Sequence, residues 1–360
     1  MTSIIYVGMD VHTTNYTLCC YSMEDDRFFA EVQVEPDAKN ILKYLARIEK
    51  QQSRDCRIVC GYEAGCLGYS LYHQLHAHGI DCVILAPTTM MTKPGKRIKT
   101  DRRDARLISK CLAFHTYSPV YIPTEMDDAV KEYIRMRDDA NSALARVKQQ
   151  IIAFCIRHGK IHDGKSYWTN KHLEWLSSLD LGNKILSEVL QEYLIRYYQQ
   201  REQVDMYDMR INELAQAEPY RQKVEKLGCF RGIAAHTALS FCVEVGDFRR
   251  FATAQQFASY LGLVPGECSS GDKQQYTGIT KAGNSHLRKL LVETAQVFGR
   301  SATKSGKSVA LKERQAKCDS LTVAYADKAN ARLKKKYFKI AMRSKANIAK
   351  TAVAREMACF

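Results

Sequence analysis

From residue 186 to residue 214 the apolar side chains return every four and then every three positions. Leu186, Leu190, Tyr193, Tyr197, Val204, Tyr207, Ile211 and Leu214 hold the rhythm, and Gln200 is its polar member. A strand reverses its face at each residue, so this spacing fits a helix with one narrow apolar seam, and about four heptads of it is a coiled-coil pattern. Upstream, Ala140, Leu144, Val147, Ile151 and Phe154 carry the same spacing. Joined by a loop around residues 159–164, the two helices can close on each other within one protomer or pair between chains. Periodicity does not choose between these.

The preceding residues read differently. The apolar run SIIYVGMD (3–10) and the β-branched and aromatic segments 17–21 and 28–34 predict a three-stranded meander with a turn at 24–26. Helical spacing over 37–51 and 67–78 then alternates with buried strands at 57–62 (RIVCGY) and 81–86 (DCVILA). That alternation predicts an α/β domain whose sheet is partly parallel. Residues 87–99, with Pro87, Pro94 and Gly95, read as a loop or weak helix, and 100–114 return to helix. Pro219 closes the long helical region, and a mainly α-helical unit follows. Within it, LGCFRGIAAHTAL (227–239) has the outline of a helix-hairpin-helix turn. GLVPGECSSGDKQQYTGITKAGNSHLRKLL (262–291) reads as a flexible, five-glycine loop entering a helix near Asn284, a geometry suited to anions. The expected domains are 1–124, 125–219, 220–300 and a basic helical segment 301–360.

Charge is polarised along the chain. Of the +15 net charge, +12 falls after position 299, where 16 basic residues face 4 acidic ones. Such a tail suits a polyanion, because each phosphate neutralised releases a counterion. The thirteen cysteines are scattered, with no C-x-x-C spacing, which predicts reduced and mostly buried thiols. No signal-like start or membrane-length apolar run is evident, so the expected location is the cytoplasm, with no membrane partner.

Four carboxylates stand out by placement. Asp10 and Glu63 end predicted strands, and Asp101 and Asp104 lie three apart at a helix start, hence on one face. If the strands are neighbours and the helix crosses their ends, the four converge into a hard oxygen site for Mg²⁺, suited to phosphodiester chemistry. Taken singly, each has an ordinary structural role available, such as a cap or a salt-bridge partner; the combination beside a basic loop does not. Lys96, Arg97, Lys99, Arg102 and Arg103 form that basic neighbourhood and are expected to contact nucleic acid.

GMDVH (8–12), YEAG (62–65) and KTDRRDA (99–105) resemble the DEDD signature of RuvC-like insertion-sequence transposases. Residues 262–291 and the closing VAREMA (353–358) resemble the C-terminal domain of the same family. The resemblance implies an RNaseH/RuvC-like fold, a coiled coil, and DNA recombination guided by a noncoding bridge RNA. It assigns metal binding to Asp10, Glu63, Asp101 and Asp104, and the nucleophile to the serine before glycine, Ser270, with Ser269 as the fallback. Lys281 and Arg288 are candidates for holding phosphate, and Lys334, Lys335 and Lys336 for contacting RNA or DNA. Donor and target duplex DNA and a dimeric or tetrameric assembly are the implied partners, in a prokaryotic nucleoid-associated setting. Many relatives carry Pro-Gly-Ile-Gly where this chain has CFRGIAA (229–235). His286 reads as a bystander on a helix surface, and Asn284 as a plain N-cap. Two rival readings are a Holliday-junction-type metal-dependent nuclease and a non-enzymatic nucleic-acid-binding protein.

Overall fold

The computed structural model describes residues 3–52, 56–65, 67–91, 100–269, 275–300 and 306–360. The chain divides into two compact units, residues 1–122 and 123–360.

In the first unit, β1 (Ser3–Val11), β2 (Tyr16–Ser22) and β3 (Arg27–Val34) form the expected meander. Then come α1 (Ala38–Gln51), β4 (Cys56–Glu63), α2 (Ser70–Ala77), β5 (Asp81–Leu85) and α3 (Asp101–Phe114). The sheet order is β3-β2-β1-β4-β5, with β1, β4 and β5 parallel. The central β1 is buried on both faces, which explains its nearly continuous apolar sequence. Ile5, Val7 and Met9 point to one side, against Ile41, Leu45 and Ile48 of α1 and Leu71 and Leu75 of α2. Tyr6 faces the other side, with Ile108 and Leu112 of α3. The mixed α/β order is the one expected of a RuvC-like domain.

Glycines set how closely α3 approaches the sheet. Gly8 and Gly61 are register partners on β1 and β4. A Cβ at Gly8 would lie 2.0 Å from the Ala105 carbonyl and 2.4 Å from the Ser109 nitrogen, both backbone atoms of α3. At Gly61 it would meet only the ends of the Leu112 and Leu85 side chains, at 2.8 Å. Gly8→Ala is therefore expected to push α3 outward and cost about 1–3 kcal/mol, the usual range for overpacking. Urea unfolding at wild-type stability would contradict this account of the packing.

The second unit begins with two long helices, α4 (Glu125–Arg157) and α6 (Lys184–Gln216), separated by the short α5 (Asn170–Ser177). Early α4 packs against late α6 through Val130, Ile134, Ile211 and Ala215. Late α4 packs against early α6 through Ile151, Phe154, Leu190 and Leu194. The two helices thus run antiparallel within one chain, one of the two pairings the periodicity allowed. Arg137 pins the pair with two hydrogen bonds to Asp208, at 2.7 and 2.9 Å. Leu194 is buried beside its half-buried neighbour Tyr193, since a straight helix drifts from a strict seven-residue repeat. After the loop expected around residues 159–164 comes α5, which the spacing did not reveal and which buries Leu173 and Leu176 under the pair.

Next are α7 (Arg221–Gly228), α8 (Ala235–Val245), α9 (Ala254–Tyr260), β6 (Pro265–Glu267), β7 (Tyr276–Ile279), α10 (Ser285–Ala295), α11 (Val309–Gln315), α12 (Ser320–Ala341) and α13 (Ala346–Met357). The stretch 262–291 is less loop-like than its glycines suggested. β6 and β7 pair antiparallel through Pro265–Ile279 and Glu267–Tyr276. One apolar cluster joins Phe241 and Val245 of α8, Leu287 and Leu291 of α10, Leu333 of α12 and Val353 of α13. The basic terminal helices are therefore part of the core of this unit.

Candidate active site

Parallel pairing of β1 with β4 brings two carboxylates to one sheet edge. The last register pair is Met9 with Tyr62, and the residues that follow are Asp10 and Glu63. The Thr100 side chain caps α3 by accepting from the Arg103 N–H, which starts the helix with Asp101 and Asp104 in its first turn. The close seat at Gly8 holds this helix against β1.

One oxygen each from Asp10 and Asp101 and one ring nitrogen of His12 all lie within 4.8 Å of one another. His12 Nε2 is 3.3 Å from Asp10 Oδ2. Burial pushes the Asp10 carboxyl above its ordinary range; His12 opposes this, while the Asp104 and Asp101 charges add to it. The structure thus gathers Asp10, Asp101 and, electrostatically, Asp104. Glu63 sits on the neighbouring strand end, exposed and outside the compact donor group. His12 was absent from the predicted set although GMDVH contains it. It lies two residues after Asp10, just past the end of β1, and continuing the strand alternation by one residue would put both side chains on one face, the signal that could have found it.

The basic residues divide. Lys96, Arg97 and Lys99 fall outside the described residues. Arg102 lies 3.3 Å from Glu31, which also takes Arg106 at 2.6 Å. Arg103 gives its backbone N–H to the Thr100 cap.

In the second unit, Ser270 lies outside the described residues. Its neighbour Ser269 donates its hydroxyl to Glu267 Oε1 at 2.6 Å and accepts from the Gln275 N–H at 3.2 Å, bridging the two strands of the hairpin. Lys281 is exposed, with a left-handed backbone (φ 56°), in the turn from β7 to α10. Arg288 donates to the Leu261 carbonyl at 2.9 Å, so it fastens the base of the hairpin. Asn284 caps α10 by accepting from the Leu287 N–H at 2.9 Å, and its amide also reaches Glu244. On α12, Lys336 is paired with Glu356, as is Arg332 at 2.5 Å. Lys334 and Lys335 make no ion pair among the described residues.

His286 is not the surface bystander its sequence position suggested. Its Nδ1 lies 2.5 Å from Glu244 Oε1 and its Nε2 2.8 Å from Asp138 Oδ2, and its side chain is only 20% exposed. Two carboxylate partners require both ring nitrogens to donate, hence an imidazolium. Burial alone would lower its pKa, but the bonds to Asp138 and Glu244 outweigh this and raise it to about 9. Asp138 and Glu244 are held below the usual carboxylate range: burial raises both, but His236 and His286 outweigh it at Asp138, and His286 and Asn284 at Glu244. His236 Nε2 adds an ion-pair contact to Asp138 Oδ1 at 3.0 Å without hydrogen-bond alignment. The clamp joins α4, α8 and α10, and leaves His286 no free nitrogen with which to act as a base. The histidine alone gave no sign of this, since its partners lie 42 and 148 residues away.

With this geometry in hand, similarity to known proteins is decisive. The chain is 32% identical over 340 residues to the transposase for insertion sequence element IS1533 of Leptospira borgpetersenii, covering 92% of this chain and 95% of the relative. The chain belongs to the IS110 family of transposases. A putative transposase, y4qE, of Sinorhizobium fredii shares 36% identity over 83% of this chain and 73% of its own length. The transposase for insertion sequence element IS1111A of Coxiella burnetii shares 25% over 71% of each. Two family models match, each described as a transposase. The DEDD transposase model of IS110 elements covers residues 7–156, and the model of the IS116/IS110/IS902 family covers residues 225–314. In this transposase the first match contains the acidic group and the second contains the hairpin, Glu244 and His286. No helix among the described residues is long and apolar enough to cross a membrane.

Proposed function

We propose that this transposase cuts and rejoins the DNA of its mobile element with a serine nucleophile, and that its acidic group holds Mg²⁺. The observation that carries the reading is the convergence of Asp10 and Asp101, with Asp104 adjacent, where β1 meets the start of α3. These oxygen donors suit a hard divalent cation, and their mutual repulsion favours one. Asp10, Asp101 and Asp104 would hold it, with His12 at the edge and Glu63 on the next strand. When bound, such a cation supplies Lewis acidity to a phosphoryl oxygen.

Ser270 acts as the nucleophile. Its oxygen bonds to phosphorus as the bond to the 3′ oxygen breaks, and the serine proton ends on the released 3′-hydroxyl. The resulting 5′-phosphoserine link conserves the bond energy for strand exchange. Lys281 offers positive charge to the phosphate, as do Lys96, Arg97, Lys99, Arg102 and Arg103 to the DNA path. Donor and target duplexes are chosen by a noncoding bridge RNA, with Lys334, Lys335 and Lys336 among its contacts. The surplus charge of the terminal helices supports that assignment. The protein works as a homo-oligomer, and because the seam of the long helices is closed within one chain, other surfaces make the contact between chains.

The test combines the protein with RNA transcribed from its flanking sequence, donor and target DNA, and Mg²⁺, and looks for DNA that stays protein-linked on a denaturing gel. The wild type should give the adduct and Ser270→Ala should not. Cleavage by the wild type with no adduct would make water the nucleophile and the protein a hydrolytic nuclease.

A further inference from the structure

The turn that follows β1 places a nitrogen donor at the mouth of the acidic group. Val11 and Tyr16 close the register of β1 with β2, and the His12 N–H donates to the Asn15 carbonyl at 3.0 Å. The hairpin therefore fixes the backbone of His12. Its ring is the outer member of the pair it forms with Asp10, since the His12 side chain is 47% exposed and that of Asp10 14%.

The spacing of these groups suits coordination better than direct bonding. His12 Nε2 and Asp10 Oδ2 are 3.3 Å apart, past the usual range of about 2.7–3.2 Å for an N–H···O hydrogen bond. Donors about 2.0–2.2 Å from one octahedral ion stand roughly 3 Å apart at neighbouring corners and roughly 4 Å apart at opposite ones. The donor atoms of Asp10, Asp101 and His12, all within 4.8 Å of one another, come close to that frame. The two carboxylates match the charge of one divalent ion. A neutral imidazole adds a third donor without adding to the crowding of like charges there. Imidazole also changes which ion is preferred. Magnesium is hard and favours oxygen, whereas first-row transition ions accept imidazole nitrogen, and Mn²⁺ keeps the taste for carboxylate that this group demands. Among the described residues, His12 is the one nitrogen donor of the group.

We infer that His12 is a metal ligand, its Nε2 completing with Asp10 and Asp101 a mixed oxygen–nitrogen site that binds Mn²⁺ more tightly than Mg²⁺. The inference rests on the reading that the acidic group holds a divalent cation, and it adds the donor that sets the preference among such ions.

The test titrates untagged, full-length, chelator-stripped protein with MnCl₂ and with MgCl₂ by calorimetry, for wild type and His12→Ala. Wild type should bind Mn²⁺ more tightly, and its Mn²⁺ complex should show nitrogen modulation in electron spin-echo spectra. His12→Ala should lose that modulation. It should also lose at least about tenfold in Mn²⁺ affinity, since even a partner behind a ligand is worth about 10–100-fold, with a smaller loss for Mg²⁺. Because the ring is exposed and lies past the strand end, the variant should melt with the wild type in chelator. An unchanged ratio of Mn²⁺ to Mg²⁺ affinity in His12→Ala would overturn the inference and reduce His12 to a residue that orients Asp10. A wild-type Mn²⁺ complex without nitrogen modulation would overturn it too, and that spectrum decides even if the variant does not fold. A wild type that binds neither ion would overturn both the ligand and the cation reading on which it rests.

Discussion

Asp10→Ala should lower recombination by more than ~100-fold without destabilising the metal-free protein. Losing an outer partner of a metal ligand typically costs about 10–100-fold, and a ligand itself should cost more. The separate behaviour of stability makes the prediction specific. Burial first, and then the Asp104 and Asp101 charges, push the Asp10 pKa up against the opposing His12. Removing Asp10 relieves repulsion, so the variant should melt no lower than wild type in chelator. On addition of Mg²⁺ or Mn²⁺ the wild type should gain melting temperature, as any ligand that binds only the folded state demands, and the variant should gain much less. An equal metal response in both proteins, or full recombination by the variant, would remove the acidic group from the chemistry.

His286→Ala should have the largest effect on stability, about 3–5 kcal/mol, the cost of breaking a buried pair from one side. The variant leaves Glu244, 4% exposed, and Asp138 without the imidazolium between them. The clamp also has a characteristic pH signature. A histidine with pKa about 9 when folded and 6.5 unfolded contributes fully below 6.5, and the contribution is lost as pH rises through 9. Glu244 and Asp138 have depressed folded values, so their share is present above the ordinary carboxylate range and is lost as pH falls through those values. The clamp should therefore be strongest between about pH 5 and 6.5 and weaken toward pH 9. Chemical denaturation at the two ends of that upper range should show wild type losing stability that His286→Ala no longer has to lose. Parallel pH profiles for the two proteins would refute the clamp.

Much of the first unit was legible because its signals are local. The apolar run into Asp10, the alternation of strand and helix, and the return to helical spacing at 100–114 each depend on neighbours in sequence. The adjacency of β1 and β4 was only a condition in the sequence, and it is their parallel pairing in the fold that brings Asp10 toward the start of α3. Glu63 was read with equal weight, yet a carboxylate at a strand end can turn outward, and its composition carries no mark of that choice. In the second unit, the seam of α6 was readable but its partner was not, since antiparallel closure and pairing between chains share one period. The clamp escaped because its three charged residues come from α4, α8 and α10. Lone polar residues on three helices announce nothing until tertiary packing brings them together. The hairpin strands escaped for another reason: glycine-rich sequence favours turns, and a ladder as short as Pro265–Ile279 and Glu267–Tyr276 leaves no alternation to detect.

The sharing of one core by α8, α10, α12 and α13 has a consequence for how the protein is made. Domains tend to fold in order as the ribosome releases them. The first unit, complete by residue 122, can close around its acidic group while later helices are still being synthesised. The second cannot finish until Leu333 and Val353 emerge to fill the space beside Leu287 and Phe241. A prematurely stopped chain would thus carry folded carboxylates but no consolidated support for the serine-bearing hairpin. On the serine reading proposed above, incomplete translation would then yield a protein unable to make a covalent DNA break.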